Sequence, residues 1–209
     1  MRRLPVASEG WPFIAIPAVI AAGLALGGRR ALAAPFAAAS VASLGFFRDP
    51  EREVTHVPGG VLAPADGRVL AVDALDDPFV GPAVRVAIFL SPLDVHVNRA
   101  PLAGLVVGAT YSRGRYLAAY RPDAGAENER CVLHLQGDSA RVTVVQVAGA
   151  VARRIVCRVG PGDKLAAGER FGMIRFGSRT DCCMPRGTDV RVRAGDRVTG
   201  AVSVLGVVR

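Results

Sequence analysis

The sequence predicts a mostly β domain, a barrel or a sandwich, preceded by an apolar helical segment. Three observations lead to this fold class. The first 47 residues are dominated by two uncharged apolar runs, whereas short β-branched runs begin near residue 54. Gly, Pro or Asp separates those runs about every ten residues, as in all-β domains. The 209 residues suffice for one domain with a buried core and an appendage.

The N-terminal segment has the composition of a membrane anchor. Residues 11–28 and 31–47 carry no charged side chain, and each approaches the roughly 17–25 residues that span a bilayer. We expect residues 1–47 to associate with the cell membrane and residues 48–209 to form the β domain at its cytoplasmic face. Two spans would expose Arg29 and Arg30 outside, against the positive-inside rule. A hairpin in one leaflet, a cleaved signal peptide and two buried core helices are the other interpretations.

Seven runs are predicted to be strands, and one long segment is predicted to be a loop. The strand runs are 61–62, 68–72, 84–90, 105–111, 131–135, 141–147 and 155–159. The segment 114–126 lacks such a run and is predicted to be an active-site loop with a helical turn. Residues 162–168 and 195–200 both begin Gly-Asp and precede an apolar run, which resembles the hammerhead hairpins of lipoyl and biotinyl domains. No lysine sits at a hairpin tip to carry such a cofactor.

Composition narrows the possible partners and cofactors. The net charge of +8 favours an anionic surface, but aromatic residues are too few and too scattered for a nucleic-acid platform. Lys164 is the only lysine and lies in a predicted turn, which argues against a pyridoxal phosphate enzyme. The histidines and cysteines lack metal-ligand spacing, so we predict no metal site. We interpret His56, His134 and all four cysteines as structural.

The Gly177-Ser178 pair can support self-cleavage. A serine hydroxyl can attack the preceding carbonyl and convert the amide into an ester, and glycine leaves that carbonyl unshielded. Elimination from the ester would turn Ser178 into dehydroalanine, and hydrolysis would leave a pyruvoyl group on a new N-terminus. Gly-Ser alone is a common loop dipeptide, so the prediction depends on the other motifs.

Four further motifs occur in an order that identifies a family resemblance. They are Phe46-Phe-Arg-Asp-Pro50, Ala63-Pro-Ala-Asp-Gly67, the segment Phe89–Pro101 and Glu127-Asn-Glu-Arg130, followed by Phe176-Gly-Ser-Arg179. Together they resemble phosphatidylserine decarboxylase of the short bacterial and archaeal type, from about residue 46 to residue 209.

The resemblance implies a proenzyme that cuts itself between Gly177 and Ser178. The products would be a large chain, 1–177, and a small chain, 178–209, which starts with a pyruvoyl cofactor made from Ser178. This group would accept electrons while phosphatidylserine loses CO2 and becomes phosphatidylethanolamine. Asp66 matches the acid of the self-cleavage triad, and His96 matches the histidine associated with substrate binding and proton transfer. Family members often form homodimers.

One residue departs from the family's long-form pattern. Arg99 stands where that pattern has a second histidine, and arginine stays protonated, so it cannot be the base that activates Ser178. Either His96 serves both steps, or Asp66 acts directly, or Arg99 steadies an oxyanion or binds the lipid phosphate.

Two other functions remain compatible with the sequence. One is a membrane-tethered β module that binds lipids without catalysis, and the other is a pyruvoyl-dependent decarboxylase of a soluble amino acid. The latter would not need the apolar N-terminus.

Overall fold

The computed structural model describes residues 5–121, 123–150, 154–175 and 178–209. It divides into two compact units, residues 1–51 and 52–209. The predicted boundary between residues 47 and 48 is therefore four residues from this division.

The first unit is helical. A 3-10 turn, Ser8–Gly10, leads into α1 (Trp11–Leu26), and α2 (Arg30–Phe46) follows. The two helices contact each other where the Ser40 hydroxyl donates a hydrogen bond to the Ile14 carbonyl over 2.8 Å. By length and composition, 8–26 is the one helix in the described part of the chain that could cross a bilayer, and few of its residues are buried.

The second unit is built of antiparallel strands. Its described strands are β1 (Gly60–Leu62), β2 (Gly67–Asp77), β3 (Gly81–Leu90), β4 (Val97–Arg99), β5 (Gly104–Ser112), β6 (Arg130–Gln136), β7 (Arg141–Ala148), β8 (Ile155–Cys157), β9 (Lys164–Leu165), β10 (Arg170–Ile174), β11 (Ser178–Pro185), β12 (Asp189–Val190), β13 (Arg197–Val198) and β14 (Val204–Val207). One short helix, α3 (Ala124–Glu127), lies in the predicted loop. The prediction of a mostly β protein with an apolar helical N-terminus is confirmed.

Three sheets form this unit. Eight strands make one curled sheet in the order β13-β2-β3-β11-β7-β6-β5-β9, and two three-stranded sheets have the orders β1-β14-β12 and β4-β10-β8. Side chains alternate between the faces of a strand. The inward residues of the central strands, such as Val144 and Cys182, join one hydrophobic core.

The two Gly-Asp segments of the sequence, 162–168 and 195–200, belong to a larger internal repeat. Gly162 and Gly195 have φ values of 99° and 97°, which glycine adopts without strain. Both donate a backbone hydrogen bond over 2.8 Å, to Val106 in β5 and to Val69 in β2 respectively. Each turn then leads into a two-residue strand at an edge of the eight-stranded sheet.

The repeat covers both halves of the second unit. Strands β4 to β10 form one half, and β1 to β3 with β11 to β14 form the other. The order of the large sheet reads the same from either edge when β13, β2, β3 and β11 are matched with β9, β5, β6 and β7. The small sheets match in the same way. The halves meet where β11 pairs with β7, so the centre of the sheet is the junction between them.

Candidate active site

Ser178 lies at the junction of the two halves. It is the first residue of β11 and pairs with Leu90 of β3 and with Ala148 of β7. It is fully buried, and its side chain faces the core, as does that of Cys182 on the same strand. Among the described residues, none forms a hydrogen bond with Ser178 Oγ. An unsatisfied buried hydroxyl destabilises the fold. The hydroxyl of Ser178 is therefore better explained by a chemical role than by a contribution to stability.

The other half of the predicted scissile bond, Gly177, lies outside the described residues.

A single row of residues crosses the sheet at Ser178. Ala148 of β7 lies beside Ser178 on one side, and the Ala148 N–H donates a hydrogen bond to the Glu129 carbonyl over 2.9 Å. Leu90 follows on the other side, and the register of β2 with β3 brings Gly67 next to it. The side chains of Ser178, Ala148 and Leu90 face the core by the alternation of their strands, and the alternation of β6 extended by one residue puts Glu129 on the same face.

Asp66 lies just before this row. Asp66 directly precedes Gly67, the first residue of β2, and β3 lies between β2 and the strand of Ser178. Two strand spacings of roughly 4.8 Å put the backbones of Asp66 and Ser178 about 10 Å apart. Asp66 Oδ2 accepts from Arg52 over 2.7 Å, and Oδ1 accepts from the backbone N–H of Gly200 over 2.8 Å. Both carboxylate oxygens are thus held in place.

His96 is fully buried in the segment between β3 and β4. Its Nδ1 lies 2.9 Å from the Asp94 carbonyl. A carbonyl can only accept, so Nδ1 carries the proton and Nε2 is the acceptor nitrogen of the neutral ring. The Asp94 carboxylate fixes the turn before it by accepting from the Ser91 N–H and hydroxyl over 2.8 and 2.7 Å.

Strand β4 connects the histidine segment to β11. Asn98 is fully buried, and its amide donates to Thr180 Oγ1 over 3.1 Å. Gln146 donates to the Asn98 oxygen over 2.8 Å. Thr180 lies two residues after Ser178 on the same face of β11. Alternation puts His96 on the same side of its segment as Asn98, toward the sheet that carries Ser178.

Arg99 lies on the other side of β4. Its guanidinium donates to the Gly168 carbonyl over 3.2 Å, and the residue is buried. Its backbone N–H donates to the Pro64 carbonyl over 2.8 Å. Arg99 thereby ties the segment that carries Asp66 to the segment that carries His96. The structure brings these two segments and Ser178 to one end of the sheet.

Two features of the site were not predicted from the sequence. The first is a buried ion pair directly after Ser178, in which Arg179 binds Asp181 with two bonds of 2.6 and 2.7 Å. Burial raises the pKa of Asp181, and the Arg179 guanidinium opposes this shift. The i, i+2 spacing of opposite charges on a strand was the available signal, but charged residues are ordinarily expected to be exposed.

The second feature is the clamp formed by Asn128. Its side chain accepts from the Leu117 N–H over 2.8 Å and donates to the Leu117 and Ala148 carbonyls over 2.8 and 2.7 Å. Asn128 thus pins the loop before β6 to the end of β7 that pairs with Ser178. The sequence motif 127–130 by itself predicts no role for Asn128.

The fold and the site define a β protein whose junction strand begins with a buried serine. The family model for phosphatidylserine decarboxylase matches residues 42–206. The chain is 46% identical over 202 residues to the phosphatidylserine decarboxylase proenzyme of Nitrosomonas europaea, covering 96% of this chain and 94% of that protein. It is 47% identical over 209 residues to the proenzyme of Symbiobacterium thermophilum, covering 99% and 97%. The chain belongs to the phosphatidylserine decarboxylase family and is thus an enzyme of the carboxy-lyase class.

Proposed function

We propose that this protein converts phosphatidylserine into phosphatidylethanolamine and CO2, using a pyruvoyl group made from its own Ser178. The observation that carries the proposal is the buried Ser178 Oγ, which has no hydrogen-bond partner among the described residues. The two similar proteins named above are both called proenzymes, which supports a maturation step.

The site fits such a group on the evidence of its own residues. Ser178 begins a strand that is held on both sides by β3 and β7, so a new N-terminus there would stay in the sheet. Once formed, the pyruvoyl group would supply the carbonyl that accepts the electrons released as the substrate loses its carboxylate. The neighbours of Ser178 in the row, Gly67, Leu90 and Ala148, have no polar side chain. Proton transfer at Ser178 must therefore be done by other residues.

In the proposed cleavage, Ser178 Oγ attacks the Gly177 carbonyl and its proton passes to His96. The carbon–nitrogen bond breaks, the amine becomes the new N-terminus, and an ester links the two residues. Loss of the Ser178 α-proton expels the Gly177 carboxylate and leaves dehydroalanine, which water converts to the pyruvoyl group with release of ammonia. Positioning of the hydroxyl provides most of the acceleration, since effective molarities reach about 10⁵ M or more.

The other predicted residues have distinct roles in this proposal. Asp66 acts as the acid near the row, with its carboxylate oriented by Arg52 and Gly200. His96 serves both cleavage and turnover, because Arg99 cannot be a base and lies on the opposite side of β4. Arg99 remains a proposed binder of the lipid phosphate.

The helical unit supplies the proposed access to lipid. Helices α1 and α2 are apolar, and the net charge of +8 favours an anionic membrane surface. We therefore place the β unit at the cytoplasmic face of the cell membrane, next to its substrate.

A denaturing mass spectrum of the purified protein tests the proposal. Two chains that meet between Gly177 and Ser178, the smaller one carrying a ketone, are expected. The Ser178→Ala variant lacks the nucleophile and should remain one inactive chain. A cut Ser178→Ala chain would contradict the mechanism. Release of CO2 from phosphatidylserine but not from free serine separates this function from that of a soluble amino-acid decarboxylase.

A further inference from the structure

Glu129 is a buried residue with a carboxylate side chain, and it has no role in the cleavage and decarboxylation proposed above. The residue is 4% exposed. Its Oε2 accepts a short hydrogen bond of 2.6 Å from the Tyr116 hydroxyl. Within the described ranges, no group forms a hydrogen bond with Oε1. A buried carboxylate oxygen without a hydrogen bond is costly, so Oε1 is suited to bind a ligand.

The sheet register puts Glu129 in the same row as the reacting serine. Glu129, Ala148 and Ser178 are consecutive members of the same row and face the core. Ala148, whose side chain is a methyl group, lies between the other two residues in this row. Ile155 and Ile174 pack on Ala148, and this apolar contact strengthens electrostatic interactions at that point.

The fold itself does not require a carboxylate at this position. In the matched half of the unit the equivalent residue is Pro82. Its carbonyl accepts from the Arg186 N–H over 3.0 Å, as the Glu129 carbonyl accepts from the Ala148 N–H. The same backbone arrangement is therefore formed without an acidic side chain, and the carboxylate is a feature of the Ser178 end alone.

We propose that Glu129 binds the ammonium group of the serine headgroup and accepts its proton. This inference rests on the proposed function, in which the substrate amine must react with the carbonyl derived from Ser178. An ammonium group has no free electron pair and cannot attack a carbonyl. Transfer of one proton breaks an N–H bond, forms an O–H bond on Oε1 and leaves the electron pair on nitrogen.

The surroundings of Glu129 suit this role. Tyr116 fixes one carboxylate oxygen, and the Tyr111 hydroxyl also interacts with the carboxylate. Burial raises the pKa of Tyr111 to about 12, and the neighbouring Glu129 carboxylate contributes to this shift. Tyr111 thus remains a neutral hydrogen-bond donor while Glu129 accepts a proton.

The test compares amines that do and do not need a base. Purified, self-cleaved protein is treated with borohydride in the presence of phosphatidylethanolamine vesicles, and the small chain is weighed for the trapped lipid. Hydroxylamine, which is neutral at pH 7, is the second probe and needs no proton acceptor. Glu129→Gln should still cleave itself and should react with hydroxylamine at the wild-type rate. Trapping of the lipid should fall by about a hundredfold, the usual contribution of a positioned base.

The chain offers a matched control two residues away. Glu127 is exposed and pairs with Arg115, so Glu127→Gln should behave as wild type with both probes. Equal trapping of lipid by Glu129→Gln and wild type, equal slowing of both probes, or failure of Glu129→Gln to cleave would each overturn the role of Glu129. A wild-type protein that reacts with neither probe would instead overturn the proposed function, because it would contain no ketone.

Discussion

The ion pair after Ser178 gives a quantitative prediction about stability. Arg179 and Asp181 are both 4% exposed and share two short hydrogen bonds. Removing one partner of such a pair leaves a buried charge and costs about 3–5 kcal/mol. For a chain of this size, each kcal/mol lowers the melting temperature by about 2–4 °C, so a loss of about 6–20 °C is expected.

The structure also predicts which partner is costlier to lose. Arg179→Met leaves Asp181 with Arg85, whose guanidinium is 3.9 Å away. Asp181→Leu leaves Arg179 with a hydrogen bond of 3.4 Å to the Arg121 carbonyl and with the positive charge of Arg85 nearby. Asp181→Leu should therefore destabilise more, and the double variant should recover most of the loss because no buried charge remains.

Thermal unfolding of the Ser178→Ala chain in detergent provides the assay, since that background stays in one piece. The β-sheet circular dichroism signal is followed for the two single variants and the double variant. Single losses below about 1 kcal/mol, typical of exposed ion pairs, would refute the reasoning. So would a double variant whose loss equals the sum of the single losses, because the two side chains would then be energetically independent.

Three other predictions test the architecture around the site. Asn98→Ala removes the partner of buried Gln146 and should cost about 1–3 kcal/mol in thermal unfolding, with slower self-cleavage on a gel. Gly172→Ala should destabilise more severely by the same measurement, since a Cβ there would overlap the Val156 carbonyl oxygen; an unchanged melting temperature would contradict the packing. The hydrogen bond with the Cys131 thiol lowers the pKa of Cys157, and Cys157 is the least buried of the four thiols, so it should be alkylated first at pH 7.5, as mapped by peptide mass spectrometry. Preferential labelling of another cysteine would contradict this assignment.

The strands could be predicted from the sequence because alternation and turn residues are local signals. The runs at 84–90 and 141–147 fall within β3 and β7, and the segment 114–126 contains no strand in its described residues. The internal repeat was visible only at its two Gly-Asp turns. Its remaining equivalence lies in register and hydrogen bonding, which are set by contacts between distant segments.

The site was predictable in part, for a similar reason. Ser178, Asp66 and His96 stand in sequence motifs, and the structure brings their segments to one end of the sheet. The side of β4 on which Arg99 lies depends on the packing of Asn98 against Thr180, a contact across 82 residues of sequence. Glu129 stands in a sequence motif, but its burial follows from strand pairing between distant segments, which the motif does not contain.

The internal repeat explains how one end of the sheet can carry reactive groups without loss of the fold. At the matched positions of the other half, Ser178 corresponds to Ala140 and Asp66 to Ala103, and both alanines occupy the same backbone arrangement. The backbone arrangement at these positions therefore does not depend on the Ser178 hydroxyl or on the Asp66 carboxylate. Because β11 is held by β3 on one side and by β7 on the other, the bond before Ser178 can break while the strand stays paired. The junction between the halves is consequently the part of the sheet best suited to hold a new chain end in place.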